Sequence, residues 1–309
     1  MRVNTITKKV CCLVLLLPMV TNVYSQQDPQ YTQYMFNQLA YNPAYAGSRD
    51  VLSVYSLLRD QWAGIPGAPK TVVLCAQAPL KSNNVGIGFE AFDETIGPTN
   101  VSGLMGSYAY RIPVKNGSLA MGLRYGFYDY QYNWQMVDYK DPLDPVSMNA
   151  QNQQLIQTAD AGLYYHTQTL YWGVSLTHLI PQKLVSGNTS LDSVTIKPHL
   201  YVTMGKAFQA SENLIINPSF LFQAVQGSTS TNINLNFLLD QKIWLGISYR
   251  SQYGVSFLMQ YCFSEKLKFG YSYDLGLNKI GLHSGGTNEI LLQYDINIQK
   301  TKTLSPRFL

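Results

Sequence analysis

Leu119-Ala120-Met121-Gly122-Leu123-Arg124-Tyr125-Gly126-Phe127-Tyr128 alternates without a break: large apolar residues at odd positions, small, charged or phenolic ones at even positions. A period of two puts successive side chains on opposite faces of a β-strand, and no helix has that repeat. The same alternation returns in Ile243, Leu245, Ile247 and Tyr249 against Trp244, Gly246, Ser248 and Arg250. Leu267, Phe269, Tyr271 and Tyr273 stand against Lys268, Gly270, Ser272 and Asp274, and Ile290, Leu292, Tyr294 and Ile296 against Leu291, Gln293, Asp295 and Asn297.

Marking such runs between turn signals predicts strands near 51–59, 70–79, 85–93, 99–111, 118–128, 158–166, 170–178, 197–208, 214–225, 231–239, 243–250, 254–263, 267–275 and 287–297. That is fourteen, an even number, and several have the roughly 9 to 11 residues a tilted strand needs to cross a bilayer. The connections alternate in length. Residues 80–84, 112–117, 167–169, 209–213, 240–242 and 264–266 are brief, whereas 129–157, 179–196 and 276–286 are long; 226–230 and 251–253 depart from the rule. Short periplasmic turns and longer outer loops are the habit of outer-membrane barrels. A soluble β-sandwich would hide its apolar face inside and gives no reason for sided loops. The expected fold is an all-β, 14-stranded antiparallel transmembrane β-barrel.

Composition agrees. Charged residues make up 13% of the 309, about half the usual share for soluble domains. Aromatics are also 13%, with 23 tyrosines, and the mean hydropathy of -0.08 is far below that of a helical membrane bundle. Strands that are greasy outside and polar inside produce this balance.

Arg2, Lys8 and Lys9 precede the apolar run Val10–Val20, and Ser25 offers a small residue for cleavage. The run is too short to span about 30 Å of hydrocarbon as a helix, so residues 1–25 read as a signal peptide. Its removal leaves 19 basic groups against 18 acidic ones, a formal charge of +1 in place of +4. Cys11 and Cys12 lack the cleavage pattern of a lipoprotein, and Cys75 and Cys262, far apart in strand order, read as two unbridged, buried thiols.

The expected organisation is a segment over 26–50, a barrel over 51–297 and a periplasmic tail over 298–309, with both mature termini periplasmic. Residues 26–50 are rich in glutamine and tyrosine and do not alternate. Asp28 before Pro29 suits a helix start, and Tyr31, Tyr34, Met35 and Gln38 share a face, predicting a short helix near 29–39 that Asn42-Pro43 ends. Such a piece could plug the lumen, cap the periplasmic mouth or dock a partner. Apolar residues on both faces of the first strand (Val51, Leu52, Val54, Tyr55, Leu57, Leu58) call for something packed against its inner side. The first loop, Arg59-Asp60-Gln61-Trp62-Ala63-Gly64-Ile65-Pro66-Gly67-Ala68-Pro69-Lys70, carries side-chain types that anchor interfaces, or folds over the barrel mouth.

Three ordered motifs resemble the PorP/SprF family of Bacteroidetes outer-membrane proteins: Asp28-Pro29-Gln30-Tyr31-Thr32-Gln33-Tyr34-Met35-Phe36-Asn37, then Asn42-Pro43-Ala44-Tyr45-Ala46-Gly47-Ser48, then Arg59-Asp60-Gln61-Trp62 with Gly67-Ala68-Pro69-Lys70-Thr71. Gln38 departs from the proline that more often follows Phe-Asn there. The resemblance implies an outer-membrane component or accessory of the type IX secretion and gliding-motility machinery. Its implied partners are outer-membrane lipid, secretion subunits and a large cell-surface adhesin, whose export or surface retention it would support. On that basis Tyr31, Tyr34, Met35, Phe36, Asn37, Asn42, Pro43, Tyr45, Arg59, Asp60, Trp62, Pro69 and Lys70 are candidate partner-interface residues. The alternative is a passive or ligand-specific transporter for hydrophobic solutes.

No catalytic, cofactor or metal site is expected. His166, His178, His199 and His283 are scattered without metal-ligand spacing, and no Gly-x-Ser-x-Gly elbow occurs. The inward charges Glu90, Arg124, Arg250, Lys268, Asp274 and Asp295 have both signs, so no ion selectivity follows. No basic patch supports nucleic-acid binding, and no small-molecule substrate is expected.

Overall fold

The computed structural model describes residues 28–80, 84–137, 153–185 and 193–298. The expected signal peptide, most of the C-terminal tail and the centres of the 129–157 and 179–196 connections lie outside these residues.

The strands are β1 (Leu52–Asp60), β2 (Lys70–Pro79), β3 (Val85–Ile96), β4 (Thr99–Val114), β5 (Gly117–Tyr132), β6 (Gln153–His166), β7 (Leu170–Thr177), β8 (Gln182–Val185), β9 (Ser193–Ile196), β10 (His199–Lys206), β11 (Phe208–Ser211), β12 (Leu214–Val225), β13 (Ser228–Leu239), β14 (Ile243–Arg250), β15 (Gly254–Cys262), β16 (Leu267–Gly276) and β17 (Thr287–Ile296). Each barrel strand pairs antiparallel with its neighbour, and β1 closes on β17 from Leu52 opposite Ile296 to Asp60 opposite Asn288. β10 and β11 are one strand interrupted at Ala207: Gly205 lies opposite Ser219 and Phe208 opposite Ile216, both on β12. The barrel is therefore closed and fourteen-stranded, as the alternation predicts.

Two differences have physical causes. β3, β5 and β6 run several residues further than expected at the long-connection end, and β4 runs to Val114 at the short-turn end, because backbone pairing continues past the last alternating residue: Gln131 opposes Gln153 and Val114 opposes Gly117. The hairpin β8–β9, read from sequence as connection, pairs Lys183 with Thr195 and packs Leu184 and Ile196 against Met105, Tyr128 and Ile156. Four-residue strands are too short to show a period.

Barrel polarity is the reverse of a soluble protein's. Leu104, Tyr108, Leu123, Tyr125, Ile247 and Phe257 face outward, Leu123 with 65% of its surface free, while Arg124, Asp160, Asp274 and Glu289 point into the lumen and are buried. Exposed apolar girth around a polar interior is stable only against lipid. Among the described residues no helix is long and apolar enough to cross a membrane. Cys75 is buried on the lumen side and Cys262 is partly buried; both are free thiols.

The N-terminal segment does not form the helix expected over 29–39. Tight i+3 turns link Gln33 to Phe36 and Tyr34 to Asn37, and two three-residue 3-10 helices follow at Gln38–Ala40 and Pro43–Tyr45. The amide N–H groups of Thr32 and Gln33, which would open a helix, donate instead to the Glu289 carboxylate. Barrel contacts outcompete local propensity.

Candidate functional site

Residues 28–50 thread the lumen. The chain lies near the long-connection mouth at Asp28, descends to Phe36, which meets Trp244 edge-on at the start of β14, and climbs to Tyr41, whose carbonyl accepts a hydrogen bond from Ser175. It then descends again to Arg49 at the short-turn end, where β1 begins. Tyr31, Tyr34, Leu39, Tyr41, Ala44, Tyr45 and Ala46 form one buried cluster with Tyr55, Leu57, Val73, Tyr164, Tyr171 and Leu291 of the wall. The inward apolar residues of β1 thus have the partner their sequence calls for.

Glycines at inward wall positions let the plug come close. A Cβ on Gly122 would overlap the backbone of Ala44, and one on Gly162 would overlap the Asn42 side chain. Asn42 also caps the second 3-10 helix through the Ala44 N–H and donates to the Leu163 carbonyl, so one amide fixes both the turn and its seat.

Among the described residues, three groups centred on Arg59, Arg124 and Asp295 pair charges inside the lumen. Toward the long-connection end, Arg59 donates to Asp274 and to Glu289, each at 2.9 Å, and shares Thr32 with Arg250. At mid-height Arg124 pairs with Glu90 at 2.9 Å and with Asp160, and reaches the carbonyls of Leu39 and Ala40. At the short-turn end Asp295 takes Arg49 at 2.8 Å and Lys268 at 3.2 Å. The first and second groups are buried on both sides, so each charge depends on its partner to offset desolvation.

At the long-connection mouth Asp28 meets two histidines. Its carboxylate lies 2.8 Å from His178 Nε2 and 3.6 Å from His199 Nδ1, and accepts from the Tyr201 hydroxyl at 3.0 Å. Burial opposes ionisation of Asp28, but the flanking His178 and His199 hold its carboxyl well below the usual carboxylate range. Burial likewise opposes charge on His178, and Asp28 outweighs it, raising that imidazole's pKa. Sequence reading makes Asp28 a helix cap and scatters the histidines. The signal available was position: His178 directly follows β7 and His199 opens its barrel neighbour β10, on either side of a long connection, and Thr177 opposes His199 in the register. A cavity of about 240 Å³ adjoins the carboxylate, lined by Tyr31, Tyr41, Glu90, Glu94, Arg124 and Tyr128 among others.

Of the candidate interface residues, Tyr31, Tyr34, Asn37, Asn42, Pro43 and Tyr45 are buried in the plug, and Arg59 is buried in the wall cluster. Met35 and Phe36 are partly open at a small cavity of the short-turn mouth. Asp60 and Lys70 face outward, 3.9 Å apart, and Pro69 is buried beneath the loop. Trp62, left-handed at φ +52°, donates its backbone N–H to Thr287 and is half-buried. The structure therefore divides the motifs between plug, wall and rim and does not gather them into one surface.

The sequence profile described as type IX secretion system membrane protein PorP/SprF matches residues 23–294. The chain belongs to the PorP/SprF family. All three motifs lie within that match, and the PorP/SprF chain described here is an outer-membrane β-barrel of type IX secretion. No curated protein matches it. A solved barrel shares its fold: the Ralstonia pickettii toluene transporter TbuX is 11% identical over 84% of this chain and 92% of that one, with TM-score 0.52. Acinetobacter baumannii Omp33 is 9% identical over 81% of this chain and 100% of that one, with TM-score 0.47. At such identity the likeness concerns the barrel alone.

Proposed function

We propose that this PorP/SprF barrel is a plugged scaffold, standing in the outer membrane with its short turns in the periplasm and binding other secretion components by its two mouths. The observation that carries this reading is the plug itself: the barrel bore is occupied by residues 28–50, tied to the wall by the Arg49–Asp295 ion pair at the short-turn end and by buried aromatics and backbone contacts along its length. A barrel so filled contributes its rims. Met35 and Phe36 at the periplasmic mouth suit periplasmic machinery, and Asp60, Trp62 and Lys70 at the outer mouth suit a surface adhesin. In this orientation β17 ends at the periplasmic face and Asp28 lies toward the outer mouth.

The test is a pull-down of tagged protein from outer membranes in mild detergent, with an unrelated barrel as control and Trp62→Ala and Phe36→Ala as variants. Enrichment of secretion subunits or a large adhesin, lost in one variant while the barrel stays inserted, supports the scaffold. Recovery of the barrel alone would return the argument to solute transport, where the plug would have to move.

A further inference from the structure

We propose that Asp28, His178 and His199 form a binding site for a divalent transition metal, with zinc as the type case, that fastens the start of the plug to the barrel wall. The three side chains each offer a donor atom, and these atoms all lie within 4.8 Å of one another. Metal–ligand bonds of about 2.0–2.1 Å in a tetrahedral site set donors ~3.3 Å apart. The Asp28 carboxylate turns one oxygen to each imidazole, Oδ1 at 2.8 Å from His178 Nε2 and Oδ2 at 3.6 Å from His199 Nδ1.

The arrangement around these donors is that of a built site. His178 Nδ1 lies 3.3 Å from the Thr158 hydroxyl, which can accept a hydrogen bond from Nδ1–H and leave the Nε2 lone pair free to ligate a metal. Tyr201 donates to the same carboxylate at 3.0 Å and orients it. His199 is the independent sign of a missing ligand: it is fully buried, and neither ring nitrogen has a hydrogen-bond partner among the described residues. A buried polar group in that state is costly and uncommon, and a metal on Nδ1 would satisfy it. Two imidazoles and one carboxylate suit zinc and its first-row neighbours better than calcium or magnesium. The 240 Å³ cavity is lined by Asp28 and Tyr201, so open space reaches the carboxylate side of the cluster. The competing arrangement is a bare Asp28–His178 ion pair with His199 as packing.

Mature protein, purified in detergent with no polyhistidine tag and stripped with chelator, would be titrated calorimetrically with Zn²⁺ and spectroscopically with Co²⁺. The expected result is one equivalent bound, visible d–d bands of a four-coordinate cobalt site, and affinity weakened by about tenfold or more in both Asp28→Asn and His199→Gln. His283→Gln, at an exposed histidine, should bind as wild type. Heat-modifiable migration on gels checks that every variant keeps its barrel. No saturable binding by folded wild-type protein, or binding undiminished in folded His199→Gln, overturns the proposal.

Discussion

Gly86 on β3 and Ala46 in the plug touch backbone to backbone: a Cβ added to Gly86 would overlap the Ala46 carbonyl oxygen. The fit repeats at Gly122 beneath Ala44, so the plug path is written into the wall as missing side chains. A branched side chain at either place must lift the plug or bend the strand. Gly122→Val should lower stability by about 1–3 kcal/mol, as overpacking does, and should speed proteolysis within residues 42–50 of membrane-inserted protein. Unchanged cleavage and unchanged unfolding would show that the seat is not tight.

Arg124 serves two buried carboxylates, Glu90 and Asp160, and two plug carbonyls. Removing the guanidinium leaves two charges without a cation, a loss on the order of 3–5 kcal/mol. Arg124→Met should therefore be severely destabilised in denaturant unfolding. Adding Glu90→Gln and Asp160→Asn should recover much of that loss, because neutral amides do not need the cation.

Burial raises the pKa values of the plug phenols Tyr31, Tyr34 and Tyr41, whose neutral forms the lumen favours. The sign follows: stability is unaffected below the ordinary tyrosine value of about 10 and falls as pH rises above it toward the raised folded values, since only the unfolded chain ionises there. Tyrosinate absorbance should show these phenols ionising together with barrel unfolding at high pH. Early, reversible ionisation in the Tyr31→Phe, Tyr34→Phe, Tyr41→Phe triple variant and the wild type alike would show only the surface tyrosines, and the difference between the two traces reads the buried set.

With the lumen occupied, wild-type protein in a planar bilayer should pass no steady current. Deleting residues 28–47, while keeping Arg49 for Asp295, should give discrete conductance steps if the fourteen strands still close. Steady conductance through the wild-type barrel would show that the plug leaves a path.

The architecture was legible because a membrane barrel repeats one rule at every residue. Leu119 to Phe127 alternate because lipid lies on one side and the lumen on the other, and that requirement is local enough to be read without knowing which strands pair. Inward charges such as Arg124, Asp274 and Asp295 fell out of the same parity. The N-terminal segment has no such rule. Asp28-Pro29 satisfies a helix start on local grounds, yet the Thr32 and Gln33 amides find Glu289, more than 250 residues away.

By itself the sequence determined the strand count, the sided connections, the polarity of the two barrel faces and the family to which the motifs point. Only the tertiary structure decided that the first two motifs fill the bore, that Arg59 is an inner ion-pair centre, and that Asp28 stands beside His178 and His199, 150 residues and more along the chain. Alternation is set by the solvent on each side of a strand, which every residue meets alone. Convergence depends on barrel closure and register, which no residue carries by itself.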